Sequence, residues 1–465
     1  MRAGVSLYTC NNLQVLSHMK KYLQIITSIF YNRNKEYVCG NGKHTDLTGS
    51  FGISMKERCM MDTPIEQNLV ERSAYLRQLA MWREKEMIKV ATGVRRCGKS
   101  TLFELYIRQL KAEGIADEQI IFVNLEDEDC AELLDYKKLY DYVKVRIVPN
   151  TWTYVFIDEV QNCPEYEKAV SSLFLKKNLD IYLTGSNAYL LSGELATKLT
   201  ARYIEIDMLP LSFTEFGEIV TTPDRRERFF QYLNLGAFPY AAHFVDNSLA
   251  HSQYLESIYN TVLVKDVMTH SGLSDITLVK SIARFLSSNV GSPVSAKKIA
   301  DTLTSSGRPT GSATVSTYLE ALTDSYLFYN VDRYDIKGKM HLKTASKYYI
   351  CDTGLRNMML GTSGADIGHQ IENIVYLELL RRGYTINIGK VGREAEIDFI
   401  VVRNQQSEYY QVAATVLDEN VLARELKPLQ QIGDNYPKFL LTLDELTGDH
   451  AGIQQLNLID WLEAE

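Results

Sequence analysis

From Glu71 onward, apolar runs and amphipathic stretches alternate along the chain, and the alternation sets the order of the predicted elements. Arg72, Tyr75, Leu76 and Leu79 fit a short amphipathic helix, and Met87 to Ala91 then reads as a buried strand. Strands are predicted again at Ile120 to Leu125, Tyr154 to Ile157 and Ile181 to Thr184, separated by helices such as Thr101 to Ala112 and Tyr166 to Lys177. Strands alternating with helices imply a parallel sheet with crossover helices. The pattern stops near Ser212 and gives way to a helix-rich stretch reaching Gly291. Within 293–350 the text predicts helices at Ser295 to Leu303 and Ser312 to Thr323, followed by a hairpin from Tyr326 to Tyr334 and from Met340 to Thr344. Residues 362–465 return to alternating strands and helices.

Chemistry enters where the first strand ends. Gly93-Val94-Arg95-Arg96-Cys97-Gly98-Lys99-Ser100 fits G-x-x-x-x-G-K-[ST] in full, follows a strand and opens a helix at Thr101. The glycines let successive backbone N–H groups turn toward phosphate, and the helix N-terminus adds a field that favours anions. Lys99 is placed to neutralise outer phosphates and Ser100 to offer its hydroxyl to magnesium. Arg95 and Arg96 either add anion contacts or project into solvent. The second motif is the apolar run Tyr154 to Ile157 ending in Asp158 and Glu159. A fully apolar strand belongs inside a parallel sheet, so its terminal acids emerge at the carboxyl edge, where ligands bind. Asp158 is expected to hold magnesium through water and Glu159 to orient the attacking water.

Further along, Thr184-Gly185-Ser186-Asn187 follows another apolar strand; Ser186 and Asn187 either sense a terminal phosphate or form a plain turn. Arg202, just before a short strand, is either an arginine inserted by a neighbouring subunit or a surface cation. In 293–350, eight Lys or Arg face five acids, a net charge of +3, and the hairpin carries Lys337-Gly338-Lys339 at its tip. A helix-turn-helix with such a wing resembles a winged-helix module, which either grips DNA phosphates or braces the protein and contacts a protein partner.

The formal charge of -8 argues against indiscriminate coating of nucleic acid, a process driven by phosphate neutralisation. Seven scattered cysteines contain no CxxC pair, which favours a reducing, cytoplasmic setting over a disulfide framework or a zinc site. No apolar run approaches the roughly 18–20 residues of a membrane-spanning helix. Residues 1–55 carry six Lys or Arg beside only Glu36 and Asp46 and show no sustained period. That charge balance superficially resembles a transit peptide, but residues 1–60 are expected to be a disordered extension or an upstream region read in from a wrong start.

These motifs, in this order, resemble those of the bacterial and archaeal AAA+ superfamily ATPases with a C-terminal domain of unknown function. The resemblance runs from Arg72 to Leu462 and also takes in LPLSFTEF at 209–216, LGAFP at 235–239, YDIKGK at 334–339, KYYICDTGLR at 347–356, IEN at 371–373 and EIDF at 396–399. It implies an α/β fold, a P-loop NTPase parallel sheet of the AAA+ type followed by helical, winged-helix and small α/β nuclease-like domains. The implied divisions are 61–215 for the ATPase, 216–290 for a helical region, 291–360 for the winged helix and 361–465 for the nuclease-like part. The implied cofactors are ATP and Mg2+, with contacts from Gly93 to Thr101. DNA through 291–350, a protein partner and a homo-oligomer are the partners considered. The family usually shows Gly-Arg where this chain has Ala201-Arg202, which weakens the arginine assignment.

In the last segment the resemblance is to the restriction-endonuclease-like fold, with Glu372, Glu396, Asp398 and Gln411 as its polar residues. A magnesium nuclease of that kind also needs a lysine, and the position two residues after Gln411 is Ala413. The segment is expected to be catalytically inactive unless a lysine enters from elsewhere, Lys390 being the candidate.

Overall fold

The computed structural model describes residues 69–188, 202–269, 271–336, 338, 340–361, 367–392 and 395–464. The expectation for residues 1–60 and the wing lysines Lys337 and Lys339 lie outside this range.

The amino-terminal half is built on a five-stranded sheet of β1 (Ile88–Thr92), β2 (Ile120–Asn124), β3 (Thr153–Asp158), β4 (Leu179–Thr184) and β5 (Tyr203–Asp207), in the order β2-β3-β4-β1-β5. Every pairing is parallel. β1 and β3 are buried along their whole length, as strands covered on both faces must be. Helices cover both faces. On one, Phe156 and Tyr182 stack at 4.6 Å beneath Phe103 and Tyr106 of helix Lys99–Ala112. The other face packs Ile88, Val90, Val155 and Ile157 against Leu139 and Val143 of helix Tyr136–Lys144. Lys89, fully buried in β1, is matched by an ion pair with Asp180 of β4.

Helices Phe213–Ile219, Arg225–Leu235, Ser248–Thr261 and Ile276–Ser288 follow, and between the last two lies a π-helical stretch, Val262–Thr269. Beyond them come β6 (Pro293–Val294), helices Ala296–Ser305 and Ser312–Asp324, β7 (Phe328–Asp335) and β8 (Met340–Ile350). Helices Thr353–Leu360 and Ile367–Arg381 lead to β9 (Thr385–Val391), β10 (Ala395–Arg403), β11 (Gln406–Val412), β12 (Lys438–Thr442), β13 (Gly448–Asp449) and β14 (Ile453–Asn457). The strands of the expected winged-helix and nuclease-like segments join in one nine-stranded sheet, β13-β14-β12-β11-β10-β9-β7-β8-β6. The seam is a parallel pairing of Arg333, Tyr334 and Asp335 in β7 with Ile388, Gly389 and Lys390 in β9.

Candidate functional site

The glycine loop sits at the carboxyl end of β1, an inner strand of the parallel sheet between β4 and β5. Gly93 has φ +136°, and a Cβ there would lie 2.1 Å from the Met208 carbonyl oxygen, so only glycine fits against the chain leaving β5. Val94 and Cys97 are buried beneath the loop, while Arg96 takes a left-handed conformation with its side chain exposed. Gly98, also left-handed, is the N-cap of helix Lys99–Ala112, which places Lys99, Ser100 and Thr101 in its first turn. Lys99 is buried and its ammonium donates to the carbonyls of Gly93 at 2.9 Å and Val94 at 3.2 Å. Arg72 clamps the loop from outside, donating to the Cys97 carbonyl at 3.1 Å, the Leu209 carbonyl at 2.7 Å and Glu215 at 3.0 Å.

β3 delivers Asp158 and Glu159 beside the loop. Asp158 is 1% exposed and accepts a hydrogen bond from the Thr184 hydroxyl. Burial pushes its pKa up, aided by neighbouring Glu159 and opposed by the Thr184 and Ser100 hydroxyls and by Lys99. Glu159 goes the other way. Burial works upward on it too, but Lys99 and Arg95, with hydrogen bonds from Gln161 and Ser186, hold it below the usual carboxylate range. The Ser186 hydroxyl lies 2.9 Å and 3.0 Å from the two Glu159 oxygens, and the Thr184 hydroxyl also accepts the Glu159 N–H at 2.8 Å.

Asn187 is buried and donates to the Asp266 backbone carbonyl at 3.3 Å. Arg95 points inward as well: its Nε and Nη2 each lie 3.1 Å from one oxygen of Asp266, and Nη1 lies 2.8 Å from Glu126. Burial works against the Arg95 charge, but Asp266 and Glu126 outweigh it and raise its pKa. Asp266 belongs to the π-helical stretch, a form found mostly as single turns at functional sites.

Arg202 is elsewhere. It precedes β5, its carbonyl accepts the Ile88 N–H at the amino end of β1, and its guanidinium lies over Phe174. A strand rising about 3.3 Å per residue separates it from the loop by roughly 16 Å. Arg202 therefore does not reach the phosphate loop of its own chain.

A cavity of about 480 Å³ opens over the loop, lined by Arg95, Arg96, Gly98, Lys99, Ser100, Thr101, Glu126 and Glu159 and extending to Tyr240 and Tyr254. For magnesium, Ser100 and Asp158 offer hard oxygen donors close together, the donor type this ion prefers. Among the described residues no three His, Cys, Asp or Glu side chains are grouped to cage a metal. The fit is therefore to an ion completed by substrate phosphates rather than by protein alone.

In the second sheet, Lys347 of β8 brings its ammonium to 3.0 Å from Glu372, 3.1 Å from Glu396 and 3.6 Å from Asp398. Tyr349 donates to Glu372 at 2.7 Å, and Gln411 donates to Glu425 at 2.9 Å. Burial, with Glu372 adding and Lys347 opposing, lifts Asp398 to about 7. The cation that enters this cluster is thus Lys347, where the sequence pointed to Lys390.

A glycine loop between a buried strand and a helix, with paired acids on a parallel strand one place removed across β4, defines a P-loop protein of the AAA class. Residues 85–217 match an AAA domain family, and residues 226–366 match a domain of unknown function. An uncharacterized protein of Haemophilus influenzae is 39% identical over 401 residues, spanning 85% of this chain and 98% of its own length. One from Methanocaldococcus jannaschii is 28% identical over 390 residues, spanning 80% of this chain and 85% of its own. The chain belongs to the family of AAA-domain proteins that it shares with the Haemophilus protein. Among solved structures, a Walker-type ATPase of Pyrococcus abyssi is similar at 15% identity with a TM-score of 0.42, covering 63% of this chain and 97% of its own. Among the described residues no helix is long and apolar enough to cross a membrane.

Asp266, Glu126, Thr184 and Arg72 belong to the site's framework although sequence reasoning assigned them no role there. Asp266 had one signal: it is an acid in the otherwise apolar run Val262 to Met268, broken only by Lys265.

Proposed function

We propose that this protein hydrolyses ATP to ADP and phosphate with magnesium, and that the cycle changes how the helical segment packs on the phosphate loop. The observation that carries this reading is that Lys99, Ser100 and Glu159 line one end of a single cavity, with Asp158 buried behind them and hydrogen-bonded to Ser100. The loop's N–H groups and Lys99 bind the phosphates. Ser100 and Asp158 would hold the magnesium ion, which would supply positive charge to the outer phosphates. Glu159, kept ionised by Lys99 and Arg95, orients the attacking water and accepts its proton. Ser186 fixes the carboxylate for that task, and Asn187 reports the terminal phosphate to the π-helical stretch through the Asp266 carbonyl. Arg202, out of reach of its own site, acts on the nucleotide of an adjacent copy in a homo-oligomer.

Residues 293–350 serve as a brace and protein-contact module rather than a DNA grip. The exposed positions of helix Ser312–Asp324 are Ser312, Ala313, Thr314, Ser316, Thr317 and Glu320, without a single cation, and Arg308 before it is paired with Asp275. Phosphate recognition needs Lys or Arg on the docking face.

One series of variants tests the reading. Lys99→Ala is expected to lose ATP affinity, and Glu159→Gln to keep it while turnover falls by about 100-fold or more. Arg202→Ala should bind ATP normally, turn over slowly and remove any dependence of rate on protein concentration. Normal turnover by Glu159→Gln would refute the catalytic assignment.

A further inference from the structure

The nucleotide cavity continues beyond the AAA match onto residues assigned no function. Tyr240 and His243 come from the turn around Ala241–Phe244, Tyr254 and Ile258 from helix Ser248–Thr261, and Leu69 and Val70 from the chain ahead of the first helix. Tyr240 is 55% exposed, yet its ring is braced. Phe244 and Tyr254 stand edge-on to it, each with its centroid at 5.3 Å, and the His243 ring lies at 5.9 Å.

A lone exposed aromatic needs no explanation. This one is held by three other rings and borders the same cavity that ends at Lys99 and Ser100. The cavity's volume of about 480 Å³ falls in the range of small-ligand pockets. One end carries Arg96, Lys99 and the first turn of helix Lys99–Ala112, beside Glu126 and Glu159. The other is aromatic, with apolar walls from Leu69, Val70 and Ile258. That polarity fits a ligand with an anionic tail and a flat π-system, the chemistry of a nucleoside triphosphate.

We propose that Tyr240, braced by Phe244 and Tyr254 and flanked by His243, seats the nucleotide base by stacking. The segment matched only to a domain of unknown function then completes the nucleotide site. This rests on the ATPase reading above and adds where the base lies. Base–aromatic stacking tolerates any base because each has a π-face, so Tyr240 contributes affinity rather than choice among bases. Nucleotide bound in this way joins the phosphate loop to the helical segment, and inorganic phosphate chains cannot.

The test is calorimetric binding of ATP and of inorganic tripolyphosphate, each with magnesium, to the full chain and to Tyr240→Ala and Tyr240→Phe. Tyr240→Ala should lose roughly 10-fold or more in ATP affinity while binding tripolyphosphate as the parent does, and Tyr240→Phe should bind ATP like the parent. Equal ATP affinity in the parent and Tyr240→Ala would overturn the base seat and leave the ATPase reading standing. A parallel loss of ATP and tripolyphosphate affinity in Tyr240→Ala would also overturn it, by showing general damage to the site. A parent that binds neither ligand would overturn both.

Discussion

Replacing Arg95 by alanine isolates the contact between the phosphate loop and the helical segment. Arg95 commits two donors to Asp266 at 3.1 Å each and a third to Glu126 at 2.8 Å. Asp266 is 1% exposed, so the variant leaves a buried carboxylate without its guanidinium, a loss typically costing about 3–5 kcal/mol. Asp266 can avoid that cost by taking a proton. Burial already raises its pKa with Arg95 present; Lys99 also lowers it and Glu159 raises it. Without Arg95 its folded pKa rises further above the unfolded value of about 3.9. A group of that sign contributes its full stability below the unfolded pKa and loses it as pH climbs toward the folded one, at about 1.4 kcal/mol per pH unit. The deficit of Arg95→Ala is therefore expected to be about 1 kcal/mol at pH 5 and about 3–5 kcal/mol at pH 8. Urea unfolding of the full chain without nucleotide, at unit steps across that range, measures it. Adding Asp266→Asn to Arg95→Ala should abolish the growth with pH. A deficit that stays flat and below about 1 kcal/mol would refute the argument that Arg95 neutralises a buried charge.

Asp207 is lifted to about 7 by burial and then by Glu205, and its Oδ1 has no hydrogen-bond partner among the described residues. Its protonated form adds stability below about pH 4 that is lost as pH rises through 7, so Asp207→Asn should raise stability at pH 8 by up to about 4 kcal/mol and flatten the slope between; parallel melting profiles for variant and parent would refute this. The Lys347 ammonium is already shared by Glu372 and Glu396, and Ala413 supplies no cation, so no cutting of single- or double-stranded DNA is expected with magnesium or manganese. Cutting that disappears in Asp398→Ala would reverse that conclusion.

Local text carried the sheet's central strands because burial on both faces makes β1 and β3 continuous runs, and the glycine loop announced itself by the strand and helix around it. Asp158 and Glu159 were legible for the same reason: a fully apolar strand projects its terminal acids at one known edge. Long-range register was not legible. That Arg202 opens β5 at the far edge follows from the pairing of Tyr203 with Ile88, which neither sequence states alone. Asp266 lies 171 residues from the arginine it pairs with, and nothing near either residue specifies the other. Lys347 stood inside a recognised motif, but its place among Glu372, Glu396 and Asp398 depends on the strand order of the second sheet. The seam between β7 and β9 joins strands about fifty residues apart by parallel pairing, which needs a crossover and leaves no hairpin signal.

That seam has a consequence for how this half of the protein can be divided. β7 bonds to β8 on one side and to β9 on the other, so severing the chain between β8 and β9 would strip a ladder and bare two rows of amide and carbonyl groups. Fragments cut at residue 360 should come out of solution as aggregates, while a fragment from 293 to the end keeps every ladder of this sheet. For anyone swapping parts among relatives, the natural unit of exchange is the whole plate.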